Sequence, residues 1–204
     1  MMAQVKKQEV ENAILDAAYG LFREKGYNST SVAEIAQAAG VSPSNIYVYF
    51  CSKLEILYAI YDPWLRERLT ALERELEAIG EPEERLHHVF RTLWQSIPAE
   101  NNGFANNLMQ ALSSASNDEG YSRELLLWAE DRISAMIRSS LPSKRRQLAD
   151  ESVLAHVIFM AFDGFVMNHG FHGPSRRIEA IIELMVSLLL GKLPAGTASP
   201  KSIG

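Results

Sequence analysis

The 204 residues, close to half of them apolar and 22% charged, have the makings of a substantial core and of a soluble globular protein. A single cysteine, Cys51, excludes an internal disulfide and a multi-cysteine metal site, and it suits a reduced, cytoplasmic setting. The net charge of −5 excludes a protein that coats nucleic acid indiscriminately, yet residues 1–53 balance five basic against five acidic side chains, leaving a neutral head on an acidic body.

Helical spacing dominates and no segment alternates with period two, so the expected class is all-α. In the first segment Val10, Ile14, Ala17, Ala18, Leu21 and Phe22 share one helical face, and Gly26 supplies a left-handed stop. Ser31-Val32-Ala33-Glu34 has the form of a capping box, opening a short helix that ends at Gly40. Ser42 and Pro43 start a third helix, with proline at the first helical position where its missing amide costs nothing. A further cap, Ser52 to Glu55, begins a long amphipathic stripe through Leu57, Tyr61, Leu65, Leu69, Leu72, Leu76 and Ile79. Pro63 is expected to kink or restart that helix.

Glu81-Pro82 opens the next helix, which Pro98 is expected to close. Segments at about 104–115 and 121–141 follow, and Lys144-Arg145-Arg146 reads as a solvated connection. A helix from about Gln147 to Phe171 is apolar nearly all round between Val153 and Met167. The last helix aligns Ile178, Ile181, Ile182, Met185, Leu188 and Leu189 on one stripe, and residues 194–204 are expected to be a disordered tail. The N-terminus lacks the apolar run of a signal peptide, and the run from Val153 ends at Asp163, far short of the ~20 residues that span a bilayer.

Residues 31–50 therefore have the form helix, glycine turn, helix. A helix-turn-helix needs one helix across the phosphates, a tight turn, and a second helix in the major groove. Ser42, Pro43, Ser44, Asn45, Tyr47, Val48 and Tyr49 supply groups that meet phosphates or base edges, and Thr30 and Ser31 stand where hydroxyls and amides meet the backbone.

Residues 10–57 resemble the TetR family of bacterial regulators: Ile14, Ala17-Ala18, Leu21-Phe22, Gly26-Tyr27, Thr30-Ser31-Val32, Ile35-Ala36, Ala39-Gly40-Val41-Ser42, Ile46-Tyr47, Tyr49-Phe50, Ser52-Lys53 and Leu57 occur in that family's order and spacing. The resemblance implies about nine helices, a helix-turn-helix head over residues 1–53, and a ligand-binding and dimerisation body over 54–193. It implies a double-stranded operator as partner and a homodimer built on the last two helices. On the matching positions, Pro43, Ser44, Asn45, Val48 and Tyr49 would touch bases, and Tyr47, Tyr49 and Lys53 phosphates. Tyr47 has an equal alternative as a ring that packs the small bundle. Glu9, Glu11 and Asn12 depart from the more basic first helix of many members, so strong anchoring by an N-terminal arm with Lys6 and Lys7 is not expected.

Val157 and Met160, with the stripe of the last helix, are the candidate dimer surface. Trp64, Trp94, Phe104, Met109, Trp128, Met136, Phe162 and Phe165 fall on the helices that enclose the family's pocket, where they imply an apolar or aromatic effector if a cavity exists. Each has ordinary core packing as its alternative. Asp163, a carboxylate in an apolar helix, needs a partner, from the protein or from a ligand. His169 and His172 lack a third ligand at a familiar spacing, so neither a metal nor a cofactor is expected. Cys51 has no resolving cysteine, which favours a tolerated turn residue over a thiol sensor. No P-loop, dinucleotide fingerprint, GxSxG elbow or HExxH helix supports an enzyme. Two further functions fit the same fold: a protein whose main partner is another protein, and a regulator whose pocket has closed.

Overall fold

The computed structural model describes residues 2–100, 104–114, 123–150 and 152–192. Ten α segments lie among them: α1 (Met2–Lys25), α2 (Val32–Ala38), α3 (Pro43–Tyr49), α4 (Lys53–Glu77), α5 (Pro82–Arg91), α6 (Ile97–Glu100), α7 (Phe104–Ser114), α8 (Glu124–Ser140), α9 (Val153–His172) and α10 (Ile178–Leu190). A π turn, Thr92–Ser96, joins α5 to α6, so helical structure runs without a gap from Pro82 to Glu100. The tail at 194–204 lies outside the described residues. No single helix among those described is long and apolar enough to cross a membrane.

Two compact units divide these elements. The first holds α1, α2, α3, α4 up to Arg68, α7 and the first residues of α8. Its core begins on α1, where Ile14, Ala18 and Phe22 recur every four residues and are fully buried. Gly26, at φ +84°, ends the helix in a conformation that favours glycine. Lys6 and Lys7 lie within a helix that starts at Met2, and not on an arm that precedes it.

The second unit holds α4 from Leu69, α5, most of α8, α9 and α10. Leu86, Val89 and Phe90 of α5 pack with Ile178, Ile182 and Val186 of α10 in its core. His87 and His88 point apart, as adjacent helical residues must: His87 lies 3.5 Å from Glu183 and His88 2.7 Å from Glu75.

Three helix boundaries differ from expectation. Pro63 neither ends nor restarts α4, which runs unbroken from Lys53 to Glu77. Leu54, Leu57, Tyr61, Leu65, Leu69, Leu72 and Leu76 are buried along its whole length, and Asp62 pairs with Arg66 across the proline turn. Packing thus outweighs one lost amide bond. Pro98 does not close its helix either. The π turn places the Ile97 amide on the Thr92 carbonyl, and that widened turn accommodates the ring that follows. Finally, α9 starts at Val153; residues Ser143–Ala149 form a separate 3₁₀ helix. Arg145 in that helix is no solvated connector, since its guanidinium donates to the Leu188 carbonyl at 3.0 Å and caps α10.

Candidate nucleic-acid interface

The helix-turn-helix is held by short-range bonds. Ser31 Oγ accepts the Glu34 amide at 3.2 Å while the Glu34 carboxylate accepts the Ser31 amide at 2.8 Å, closing the capping box. Lys25 donates to the same carboxylate at 2.6 Å. That bond, reinforced by those from Ser31, brings the Glu34 pKa down to about 2. At the other end of α2 the Gly40 amide reaches the Gln37 carbonyl and the Val41 amide reaches Ala36, a double closure centred on Gly40 at φ +70°. Ser42 then caps α3, its Oγ accepting the Asn45 amide at 3.3 Å.

Those constraints decide which face of α3 points outward. Ile46 and Phe50 are buried and anchor the helix to the bundle. Pro43, Ser44, Tyr47 and Val48 are exposed, the last two to 59% and 68%. Asn45 and Tyr49 are half-buried at the flanks. Lys7 on α1 lies 6.0 Å from the centre of the Tyr49 ring, so one cation stands beside the end of α3. For Tyr47, exposure favours an outward-facing phenol over packing of the bundle.

Two expected phosphate contacts take structural roles. Thr30 is 1% exposed and its hydroxyl donates to the Gly26 carbonyl at 2.8 Å, because the stop of α1 leaves that carbonyl without a helical partner. Lys53 donates to the carbonyls of Tyr27 and Thr30, both at 2.8 Å, with its ammonium 4.0 Å from the centre of the Tyr27 ring. The start of α4 is thereby bolted to the loop between α1 and α2.

Sequence reasoning missed Asn107. This α7 residue is 3% exposed; its Nδ2 donates to the Phe22 carbonyl at 2.9 Å and its Oδ1 accepts the Tyr27 amide at 2.8 Å. One side-chain amide thus satisfies both an end carbonyl of α1 and the first amide past Gly26, across about 80 residues of sequence. Nothing in the sequence singles it out, because the Asn106-Asn107 pair sits in a segment that also carries Gln110, Ser113 and Ser114.

The candidate effector residues divide between the two units. Trp64 and Met109 belong to the first unit, both half-buried, and Trp64 packs on Tyr61 with ring centres 5.7 Å apart. The Phe104 side chain lies outside the described residues. In the second unit Trp94 is buried between Phe90 and Phe165, and its Nε1 donates to the Ile158 carbonyl at 3.1 Å. Met136 and Phe162 are likewise core, and Trp128 carries Arg132 over its ring. Asp163 is half-buried, and desolvation raises its pKa to about 7. The same unit carries surface clefts. Glu130, Asp131, Arg138 and Asp150 border one of about 430 Å³, while Leu148, Val153, Val157 and Leu189 border a more apolar one of about 620 Å³. A smaller one, of about 170 Å³, includes Met136, the one candidate effector residue in these three linings.

The expected dimer stripe splits into two faces. Ile178, Ile182 and Leu189 are buried within the chain, Ile181 and Met185 are half-buried, and Leu188 is 55% exposed. At about 100° per residue, Ile181 and Leu188 lie roughly 60–80° round the helix from Ile178, on the side away from Ile182. Val157 and Met160 are exposed on α9 together with Val153 and Met167, and Leu184 joins Leu188 on α10. Among the described residues no group of three or more metal-ligating side chains occurs.

With this geometry in view, comparison with known proteins is direct. Residues 14–60 match the profile of "Bacterial regulatory proteins, tetR family". The HTH-type transcriptional regulator HbdR of Aromatoleum sp. (strain CIB) is 30% identical over 134 residues, covering 66% of this chain and 57% of that protein. The HTH-type transcriptional regulator CymR of Pseudomonas putida is 37% identical over 79 residues, covering 39% of this chain and 38% of that protein. The chain thus aligns with 57% and 38% of these curated relatives' lengths. Among solved structures, Thermus thermophilus FadR, a TetR-family repressor in complex with lauroyl-CoA, superposes with a TM-score of 0.58 at 26% identity, covering 93% of this chain and 98% of that one.

Proposed function

The chain belongs to the TetR family of bacterial regulators, and from that premise we propose that it is a dimeric, ligand-responsive repressor that reads a pseudo-palindromic DNA operator with α3. The observation that carries this reading is the outward face of α3, where Pro43, Ser44, Tyr47 and Val48 stand exposed above a firmly buried Ile46. A protruding, capped, uncharged helix is the shape and chemistry of a major-groove reader. Ser31, Ser42 and Asn45 flank it, with Tyr49 and Lys7 at its far end. Thr30 and Lys53 shape the head from within.

A second copy would cover the exposed aliphatic residues of α9 and α10, placing two heads in successive major grooves about 34–36 Å apart. Residues 1–53 would form the reading head and 54–193 the sensing and dimerising body, with α4 contributing to both units. An effector that favours a body conformation with a different head separation lowers operator affinity by shifting the population. Because the Thermus thermophilus relative is in complex with lauroyl-CoA, a fatty acyl-CoA is the first effector class to test.

The experiment is a selection from random duplexes by the purified full chain, followed by titration of lauroyl-CoA against the retained DNA. The expected result is a palindromic consensus whose binding weakens with salt, and release of that DNA by the acyl-CoA. Retention of no duplex refutes the regulator reading. Retention without release favours a second reading, a regulator whose body senses nothing; Trp94, Met136 and Phe162, packed as core, speak for it.

A further inference from the structure

From Ile35 to Ser52 the chain carries no charged residue. The outward groups of α3 are therefore a proline ring, a serine hydroxyl, a phenol and the Val48 isopropyl. The serine is already engaged locally, with Ser44 Oγ 3.0 Å from Ser42 Oγ. Ser44, Tyr47 and Val48 fall at i, i+3 and i+4, so they form one patch. Val48 is the most exposed of the large apolar side chains in the described structure, at 68%. A β-branched residue gains nothing from the helix at such a position, so its use lies outside the chain.

The major groove offers each base a distinct partner. Guanine is read by arginine or lysine, cytosine by a carboxylate, adenine by asparagine or glutamine, and thymine by apolar contact with its C5-methyl group. The α3 segment has no residue of the first two kinds, and its one asparagine, Asn45, is half-buried. The isopropyl group of Val48 can be satisfied in the groove only by a methyl. Resting on the reading that α3 enters the major groove, we infer that Val48 is a specificity-determining residue that packs on the C5-methyl of a thymine in each operator half-site.

The test uses the full chain and the duplex it retains from the random pool, with each thymine in turn replaced symmetrically by deoxyuridine. That exchange deletes one methyl in each half-site and leaves every hydrogen-bonding edge intact. Burial of one methyl-sized group corresponds to about fourfold in affinity, so the symmetric exchange at the Val48 contact is expected to weaken binding about sixteenfold. Val48→Ala should bind the thymine and uracil duplexes equally at that position. Its thermal melt should match the wild type, because the deleted methyls contact solvent. A duplex bound tightly but indifferent to every deoxyuridine exchange overturns the inference and leaves the regulator reading standing. So does a Val48→Ala protein that keeps the full preference for thymine. A random pool that yields no retained duplex removes the parent reading, and this one with it.

Discussion

Two regions leave large side chains uncovered, and they do so with different chemistry. On α3 the exposed residues are Pro43, Ser44, Tyr47 and Val48, so apolar surface is interleaved with hydroxyls. On α9 and α10 the large exposed hydrophobic residues, Val153, Val157, Met160, Met167, Leu184 and Leu188, are aliphatic or thioether, and the exposed His156, Glu179 and Glu183 of the same helices pair within the chain with Glu130, Arg91 and His87. Nucleic-acid interfaces are polar and wet, whereas the core of a homodimer interface resembles a protein interior cut in half. The difference teaches that exposure alone does not identify a partner; the chemistry woven between the exposed groups does.

The comparison breaks most completely at the aliphatic face. Replacing Val157 and Leu188 together with glutamate puts two carboxylates into the surface assigned to the second copy. Both residues are exposed within the chain, so helicity should persist while light scattering reports a monomer. Operator affinity should then fall by about 10²-fold or more, as bivalent binding becomes monovalent. A persistent dimer would place the twofold contact elsewhere.

Next in size is Asn107→Ala. The substitution strands the Tyr27 amide in a buried site and leaves the Phe22 carbonyl with its bond from the Gly26 amide alone. A buried group left unpaired costs about 1–3 kcal/mol, so chemical denaturation should show a loss in that range. Because these bonds set the end of α1 within the reading head's own unit, operator binding should weaken by more than the unfolded fraction accounts for. Unchanged stability would mean water replaces the side-chain amide.

Tyr47→Ala tests the mixed face. A 59% exposed phenol contributes little to the fold, so the melt should hardly move while operator affinity drops about tenfold, equivalent to about 1.4 kcal/mol. Tyr47→Phe separates ring from hydroxyl: retained affinity assigns the contact to the ring, lost affinity to the hydroxyl on a phosphate.

How much is legible in the sequence follows from how far each signal reaches. Ser31 with Glu34, Gly40, and Ser42 with Pro43 act within one turn of chain, and every one of those caps is formed. The intrachain bonds of Thr30 and Lys53 are not legible in the sequence because their acceptors, the carbonyls of Gly26, Tyr27 and Thr30, come within reach only once α1 stops and the loop folds back. Asn107 is invisible because its partners lie some 80 residues away. The last helix reads as one stripe because apolar residues nearly fill it; only packing with α5 distinguishes the inward Ile178 and Ile182 from the outward Leu188. Pro63 reads as a kink or a restart and Pro98 as a break on local grounds, yet tertiary burial carries α4 through Pro63 without a restart and a π turn carries the chain through Pro98.

The smallest effect sharpens the contrast from inside the aliphatic face. Asp163 is the only carboxylate on α9 and falls three residues after Met160 and four before Met167, at the edge of the exposed stripe. Burial lifts its pKa from 3.8 to about 7, so between those pH values the folded chain holds a proton that the unfolded chain has released. Stability should therefore fall as pH rises from about 4 to about 7 and level off above that. Asp163→Asn removes the ionisation and should flatten that slope. Above pH 7 the variant should be the more stable by about 1–2 kcal/mol, the half-exposed edge keeping water within reach, and toward pH 4 the two should converge. Thermal melts at matched pH read the gap directly. A gap that stays constant across this range would mean that Asp163 has found a compensating cation, and the aliphatic face would then be less dry than its exposed residues suggest.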